Sequence, residues 1–185
     1  MVLYVTRHGE TEYNVLGRYC GATDAPLNDT GVSQAYGLAG RLKGMHFDAV
    51  VSSPMLRARQ TADIVSAALS MPYAVYGQFT ERHMGVYEGL TKEEAKKLYP
   101  NLWDRQCTAE ADDAPDGGET IRQACGRIDE GLNQIRCDYK SKTVLLICHG
   151  FVSRAVHRYC RNLTFEEMAG FTLKNCEVVK YELEP

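Results

Sequence analysis

Two short apolar runs at opposite ends of the chain each break off at a histidine, and this pairing constrains the fold more than any other feature. Val2-Leu3-Tyr4-Val5-Thr6 breaks into Arg7-His8-Gly9-Glu10-Thr11, and Thr143 to Cys148 breaks into His149-Gly150. Neither run alternates apolar with polar residues, so both faces must be covered, as in central strands of a parallel sheet. In open α/β sheets the carboxyl ends of such strands are where ligands bind. Both histidines are therefore delivered to one rim.

The residues between supply the rest of a layered α/β pattern. Asp29-Thr30 opens a helix with Val32, Ala35, Leu38, Ala39 and Leu42 at helical spacing, stopped near Gly44. Phe47 to Ser52 reads as a strand, and Ser53-Pro54 as N-cap and first residue of a helix reaching about Leu69. Tyr73 to Tyr76 is a short third strand. Thr91-Lys92-Glu93-Glu94 is a capping box for a helix ending before Pro100. Acidic residues and Pro115-Asp116-Gly117-Gly118 predict a solvated loop from Glu110 to Glu119. Ile121, Ala124, Cys125, Ile128, Leu132 and Ile135 mark the buried stripe of a long helix. Phe151 to Cys160 is a further helix and Glu177 to Leu183 a closing edge strand.

Together these predict a three-layer α/β sandwich: a mostly parallel central sheet with an antiparallel edge strand, and helices on both faces. The 185 residues suit one domain. Within it, a small cap segment at about 84–118 carries no constraining motif and is the expected seat of substrate selectivity.

Charge and cysteine usage narrow the partners. A formal charge of -3 gives no field for nucleic acid or an anionic membrane, so any anion site must be a local cluster of positive groups. Seven dispersed cysteines without a C-x-x-C pair argue against structural zinc or a disulfide framework. Reduced, mostly buried thiols suit a cytoplasmic location. The first apolar run is too short for a signal peptide, and no stretch reaches the length of a membrane span. The closing edge strand leaves monomer and homodimer both open.

The strand-end residues suit phosphoryl transfer. The transferred group's oxygens need preorganised positive charge and hydrogen-bond donors. Arg7 and Arg57 offer planar forks that stay charged. His149, the backbone N–H of Gly150 and the amide of Asn14 add further donors. His8 is the candidate nucleophile: a neutral imidazole has one free lone pair if its other nitrogen donates to a backbone carbonyl. Glu81, in Gln78-Phe79-Thr80-Glu81-Arg82, is the candidate general acid; a carboxyl that donates near neutrality needs burial, or the substrate's own charge, to keep its proton. Glu88 is a rival acid but reads better as packing at a turn. Arg59 reads as solvated. Arg18, Arg82, His83 and Asn175 are either substrate contacts or structural, while His46 and His157 read as surface or loop histidines. Alternation points the Cys148 thiol away from the site.

These motifs, in this order, resemble the histidine phosphatase (phosphoglycerate mutase-like) superfamily. Leu3 to Thr11 with Asn14 is similar to its opening signature and Ser52 to Ala62 to its second motif. Glu81-Arg82-His83-Met84-Gly85 with Glu88-Gly89 resembles its third, and Ile147-Cys148-His149-Gly150 its fourth. The resemblance implies a transient phosphohistidine on His8, acid then base catalysis by Glu81, and a phosphate clamp of Arg7, Arg57 and His149. It implies no metal and no cofactor, and a small phosphorylated metabolite as partner.

A phosphatase hands the phosphoryl group to water, a mutase to an acceptor hydroxyl. The chain lacks the longer insertion typical of mutases, and Pro115 to Thr120 resembles a feature of the phosphatase branch. Cys20-Gly21 departs from both the mutase Thr-Gly pair and the phosphatase glutamine. Arg82-His83, Lys92 and Arg105 resemble mutase positions. The missing insertion weighs more, since a mutase must shield its intermediate from water. The expectation is a phosphatase, with a cofactor-dependent mutase next and a non-catalytic phospho-ligand-binding module last.

Overall fold

Strands β1 (Val2–Arg7) and β4 (Thr143–Cys148) lie side by side and parallel, in register from Val2 opposite Thr143 to Arg7 opposite Cys148. In the computed structural model, which describes residues 1–183, they form the centre of a five-stranded sheet. The order is β3-β2-β4-β1-β5, with β2 (Ala49–Ser52) and β3 (Tyr73–Val75) parallel and β5 (Val178–Glu182) antiparallel at the edge. Edge placement explains why β5 is only half-buried while the β4 interior is dry.

Alternate residues of the sheet feed two cores, as the two-residue period of a strand dictates. Leu3, Val5, Val144 and Leu146 pack against helices α6 (Ile121–Asp138) and α7 (Gly150–Arg161). Val50, Leu145 and Ile147 pack against α2 (Asp29–Leu42) and α3 (Leu56–Leu69). The result is the expected three-layer sandwich. Short helices α1 (Glu12–Val15), α4 (Lys92–Leu98), α5 (Pro100–Asp104) and α8 (Phe165–Met168) complete it. A third, separate cluster of Tyr87, Ala95, Leu102 and Cys107 lies in the segment between β3 and α6. Among the described residues no helix is long and apolar enough to cross a membrane.

Several local expectations are corrected. Helix α3 begins at Leu56 with Met55 as its N-cap residue and no side-chain cap, so Ser53 is not the cap. The short strand ends at Val75, and the chain passes through a 3-10 turn, Gly77–Phe79, before Glu81. The acidic stretch is not merely a solvated loop. Pro115 is buried there, and Glu119 accepts the His83 N–H at 3.0 Å and binds the Arg127 guanidinium. His157 is a half-buried residue of α7 rather than a loop histidine: its ring stacks on Phe171 at 4.0 Å between centroids and bonds the Tyr181 hydroxyl at 2.9 Å. His46 is exposed, as expected.

Candidate active site

The pairing of β1 with β4 runs one residue past Arg7. His8 N–H donates to Cys148 O at 3.0 Å, and His149 follows immediately, so the imidazoles meet with centroids 5.2 Å apart. Both rings are buried. His8 Nδ1–H donates to Gly9 O at 2.6 Å, which leaves Nε2 with its lone pair. Burial, reinforced by Arg57 and Arg7, pushes His8 well below the ordinary value of 6.5 and keeps it neutral. The same causes act on His149, burial first and then Arg57.

Nothing flexible separates the loop after His8 from α2. A Cβ on Gly9 would lie 2.3 Å from Gly31 O, and one on Gly31 would lie 2.1 Å from Glu10 O. Thr61 Oγ1 on α3 accepts the Gly9 N–H at 3.1 Å and donates to Arg57 O at 2.8 Å, tying nucleophile loop and arginine backbone together.

Arg57 is almost wholly buried. Its Nη1 donates to Thr23 O and Nη2 to Gly21 O, at 2.8 and 2.9 Å, while Nε has no partner among the described residues. Arg7 Nη1 reaches Leu173 O at 3.4 Å, and its Nε is also buried and unpartnered. Glu81 accepts the Arg82 N–H on Oε1 (2.9 Å) and the Phe151 N–H on Oε2 (3.1 Å), which fixes the carboxylate at the start of α7. A Cβ on Gly150 would fall 3.7 Å from Arg7 Cζ and 3.9 Å from Glu81 Oε2, so that backbone lies beside both groups. Asn14 Oδ1 is occupied by the Thr11 N–H and by Asn175 Nδ2, which leaves its own Nδ2 as the available donor.

Arg7, His8, Asn14, Arg57 and Glu81 line a pocket of about 390 Å³, while Gly150 is not part of its lining. Its wall presents Arg7, Arg18, Arg57, Arg82, Arg154 and Lys92 against one carboxylate, Glu81, so the site is strongly positive in a chain of charge -3. His149 is fully buried and does not line it. Tyr19, Met84 and Phe151 add apolar surface. Cys20 lines it too, its thiol 3.4 Å from Thr23 O and held protonated chiefly by burial. Among the described residues no group of three or more His, Cys, Asp or Glu is placed to hold a metal ion.

The remaining candidates divide cleanly. Arg18 lines the pocket while pairing with Glu94 at 2.6 Å, and Arg82 lines it with Nε on Glu119 O and Nη1 on Thr108 O. Asn175 is a brace, donating to His8 O at 2.8 Å. His83 accepts the Gly85 N–H and stands outside the pocket. Glu88 uses both oxygens to hold Ala22 N, Met84 N and the Thr23 hydroxyl, so its role is anchorage. Arg59 is exposed. Arg105 pairs with Asp113 at 3.2 Å away from the pocket, unlike its mutase-like expectation. The Cys148 thiol is buried in the sheet core.

Sequence reading missed Arg154, Thr61 and Ser53. Arg154 had a usable signal: it lies four residues after Gly150 on the same helix, hence on the same face. Ser53 Oγ lies 2.6 Å from His149 Nε2, a contact 96 residues apart that no local spacing announces.

A mostly parallel sheet whose adjacent strand ends carry two buried imidazoles, with guanidinium groups around them, defines an α/β protein with a positively charged pocket. The chain belongs to the histidine phosphatase superfamily (branch 1), whose sequence profile matches residues 3–185. It is 34% identical over 153 residues to the uncharacterized phosphatase PhoE of Bacillus subtilis, spanning 82% of this chain and 73% of that protein. It is 33% identical over 158 residues to the metal-independent phosphoserine phosphatase of Arabidopsis thaliana, spanning 84% and 66%. The fold superposes on Bacillus stearothermophilus YhfR with a TM-score of 0.90 at 29% identity, covering 99% of this chain and 91% of that one. Family membership and relatives named as phosphatases support a phosphatase enzyme.

Proposed function

We infer that this chain hydrolyses a small phosphomonoester through a phosphohistidine on His8. The single observation that carries the reading is the neutral His8, its Nδ1–H tied to Gly9 O and its ring 5.2 Å from His149, beside Arg7 and Arg57. The His8 Nε2 lone pair attacks phosphorus as the bond to the leaving oxygen breaks, and the Glu81 carboxyl gives that oxygen its proton. Water then attacks the phosphohistidine, Glu81 takes the water's proton, and the P–N bond breaks to free phosphate and restore His8. Arg7, Arg57, His149, Asn14 and the Gly150 N–H stabilise the equatorial oxygens.

The outer wall supports a narrower substrate class. Arg18, Lys92 and Arg154 line the pocket in addition to the groups assigned to the phosphate, which favours an ester whose organic half is itself anionic, such as a phosphorylated amino or hydroxy acid. Residues 84–118, with their own small core, form the cap that shapes this end. Arg105 pairing at the surface favours hydrolysis over a mutase.

The test is His8→Ala assayed with 4-nitrophenyl phosphate, phosphoserine and 3-phosphoglycerate. We expect release of inorganic phosphate by the wild type, at least about a thousandfold loss in the variant, and loss of acid-labile protein labelling. Turnover that survives in His8→Ala overturns the nucleophile. Formation of 2-phosphoglycerate without free phosphate overturns the hydrolase.

A further inference from the structure

A count of hydrogens around His149 leads to a residue with no assigned part in the chemistry. His149 is the N-cap residue of α7, yet its ring makes no capping bond. Its Nε2 instead lies 2.6 Å from Ser53 Oγ, which already accepts the Met55 N–H at 3.3 Å. The short contact has two assignments. If Nε2 carried the hydrogen, Ser53 Oγ would accept twice and its hydroxyl hydrogen would have no acceptor among the described residues. The His149 Nδ1 lone pair would then sit buried without a donor among the described residues.

If the hydroxyl donates to Nε2, Ser53 is fully used and Nδ1 carries the hydrogen. What remains unpartnered among the described residues around His8 is then of one kind: His149 Nδ1–H, Arg7 Nε–H and Arg57 Nε–H, all buried. Orphaned donors with no orphaned acceptor among them are completed by an acceptor-only ligand. The backbone supports the arrangement. Ser53 N–H donates to Ile147 O at 3.0 Å, extending the pairing of β2 with β4 and fixing the serine opposite the end of the strand that carries His149.

We propose that Ser53 is a positioning residue: its hydroxyl donates to His149 Nε2, fixes the Nδ1–H form of the ring and presents a neutral donor to the phosphoryl group. The inference rests on the hydrolytic reading for its kinetic arm alone.

The experiment reads the full chain, labelled with 15N-histidine, by long-range 1H–15N correlation, with His149 assigned by comparison with His149→Gln. Wild type is expected to show a protonated Nδ1 and a bare Nε2. Ser53→Ala loses that preference, and Ser53→Thr, which keeps a hydroxyl, retains it. With orthovanadate as the binding probe, Ser53→Ala binds roughly 10- to 100-fold more weakly, and kcat on 4-nitrophenyl phosphate falls by a similar factor with KM little changed. A protonated Nε2 in the wild type overturns the proposal whatever the variants do. So does a Ser53→Ala protein that keeps the Nδ1–H form and full vanadate affinity. A chain with protonated Nδ1 but no turnover would sink the hydrolytic reading and leave this one standing.

Discussion

The floor of the pocket, at His8 with His149 buried behind it, grows out of neighbouring sheet strands, whereas the outer wall, around Arg18, Arg82 and Lys92, has only a short main-chain bridge between Arg18 and Thr91 and leans more heavily on side chains. On the floor, His8 N–H meets Cys148 O and Ser53 N–H meets Ile147 O, so the sheet's own register sets the spacing of the reactive groups. On the wall, Glu88 holds the 20–24 loop to Met84, Glu94 holds Arg18, and Glu119 holds His83 and Arg127. Under the proposed function, the difference separates chemistry from selectivity. Altering the floor means altering the sheet, while the wall can be retuned one carboxylate or arginine at a time.

The largest effect should come from the acid at the junction of the two regions. Glu81→Gln is expected to slow esters with poor leaving groups about 10²- to 10⁴-fold and those with good ones far less. Equal slowing of both, in a comparison of alkyl and aryl phosphates, would move the proton donor elsewhere.

Next comes a stability signature of the floor alone. His8 and His149 are held neutral in the fold, whereas the unfolded chain takes up protons as pH falls through about 6.5. Folded stability is therefore full above that value and declines below it, down to the depressed folded values, by up to about 1.4 kcal/mol per pH unit for each histidine. Urea unfolding at stepped pH measures the slope, which His149→Gln should reduce. An unchanged slope would mean that these rings are not the groups being titrated.

The wall predicts a change in binding without a change in chemistry. Arg154→Ala should raise KM for a carboxylate-bearing phosphoester about tenfold, with kcat and the KM for 4-nitrophenyl phosphate nearly unaffected. A matching loss on both substrates would place Arg154 on the floor. Smallest of all, Arg105→Ala should leave kcat/KM within about twofold, because Arg105 is exposed and pairs with Asp113 away from the pocket. A large loss would reopen a mutase-like contact.

What was legible in the sequence follows the same division. The strands, the helical stripes and the strand-end histidines announce themselves through periodicity and its interruption, so the sandwich and the groups Arg7, His8, Arg57, Glu81 and His149 could be named in advance. The groups that hold them could not. Thr61 is joined to Gly9, Ser53 to His149 and Glu119 to His83 across long loops of chain, and their spacing carries no period. Ser53-Pro54 even gave a false signal, since a serine before proline suits a helix cap. His157 misled for the same reason: its partners Phe171 and Tyr181 lie on later segments.

The bare contact between Gly9 and Gly31 has a bearing on how this scaffold diversifies. Main chain rests on main chain there, leaving no side chain to rotate aside and absorb a change. Even a methyl group at either position would drive the loop after His8 out of place, so on the proposed reading adaptation to new esters is pushed toward the pocket wall, and anyone re-engineering the protein would do well to leave both positions untouched.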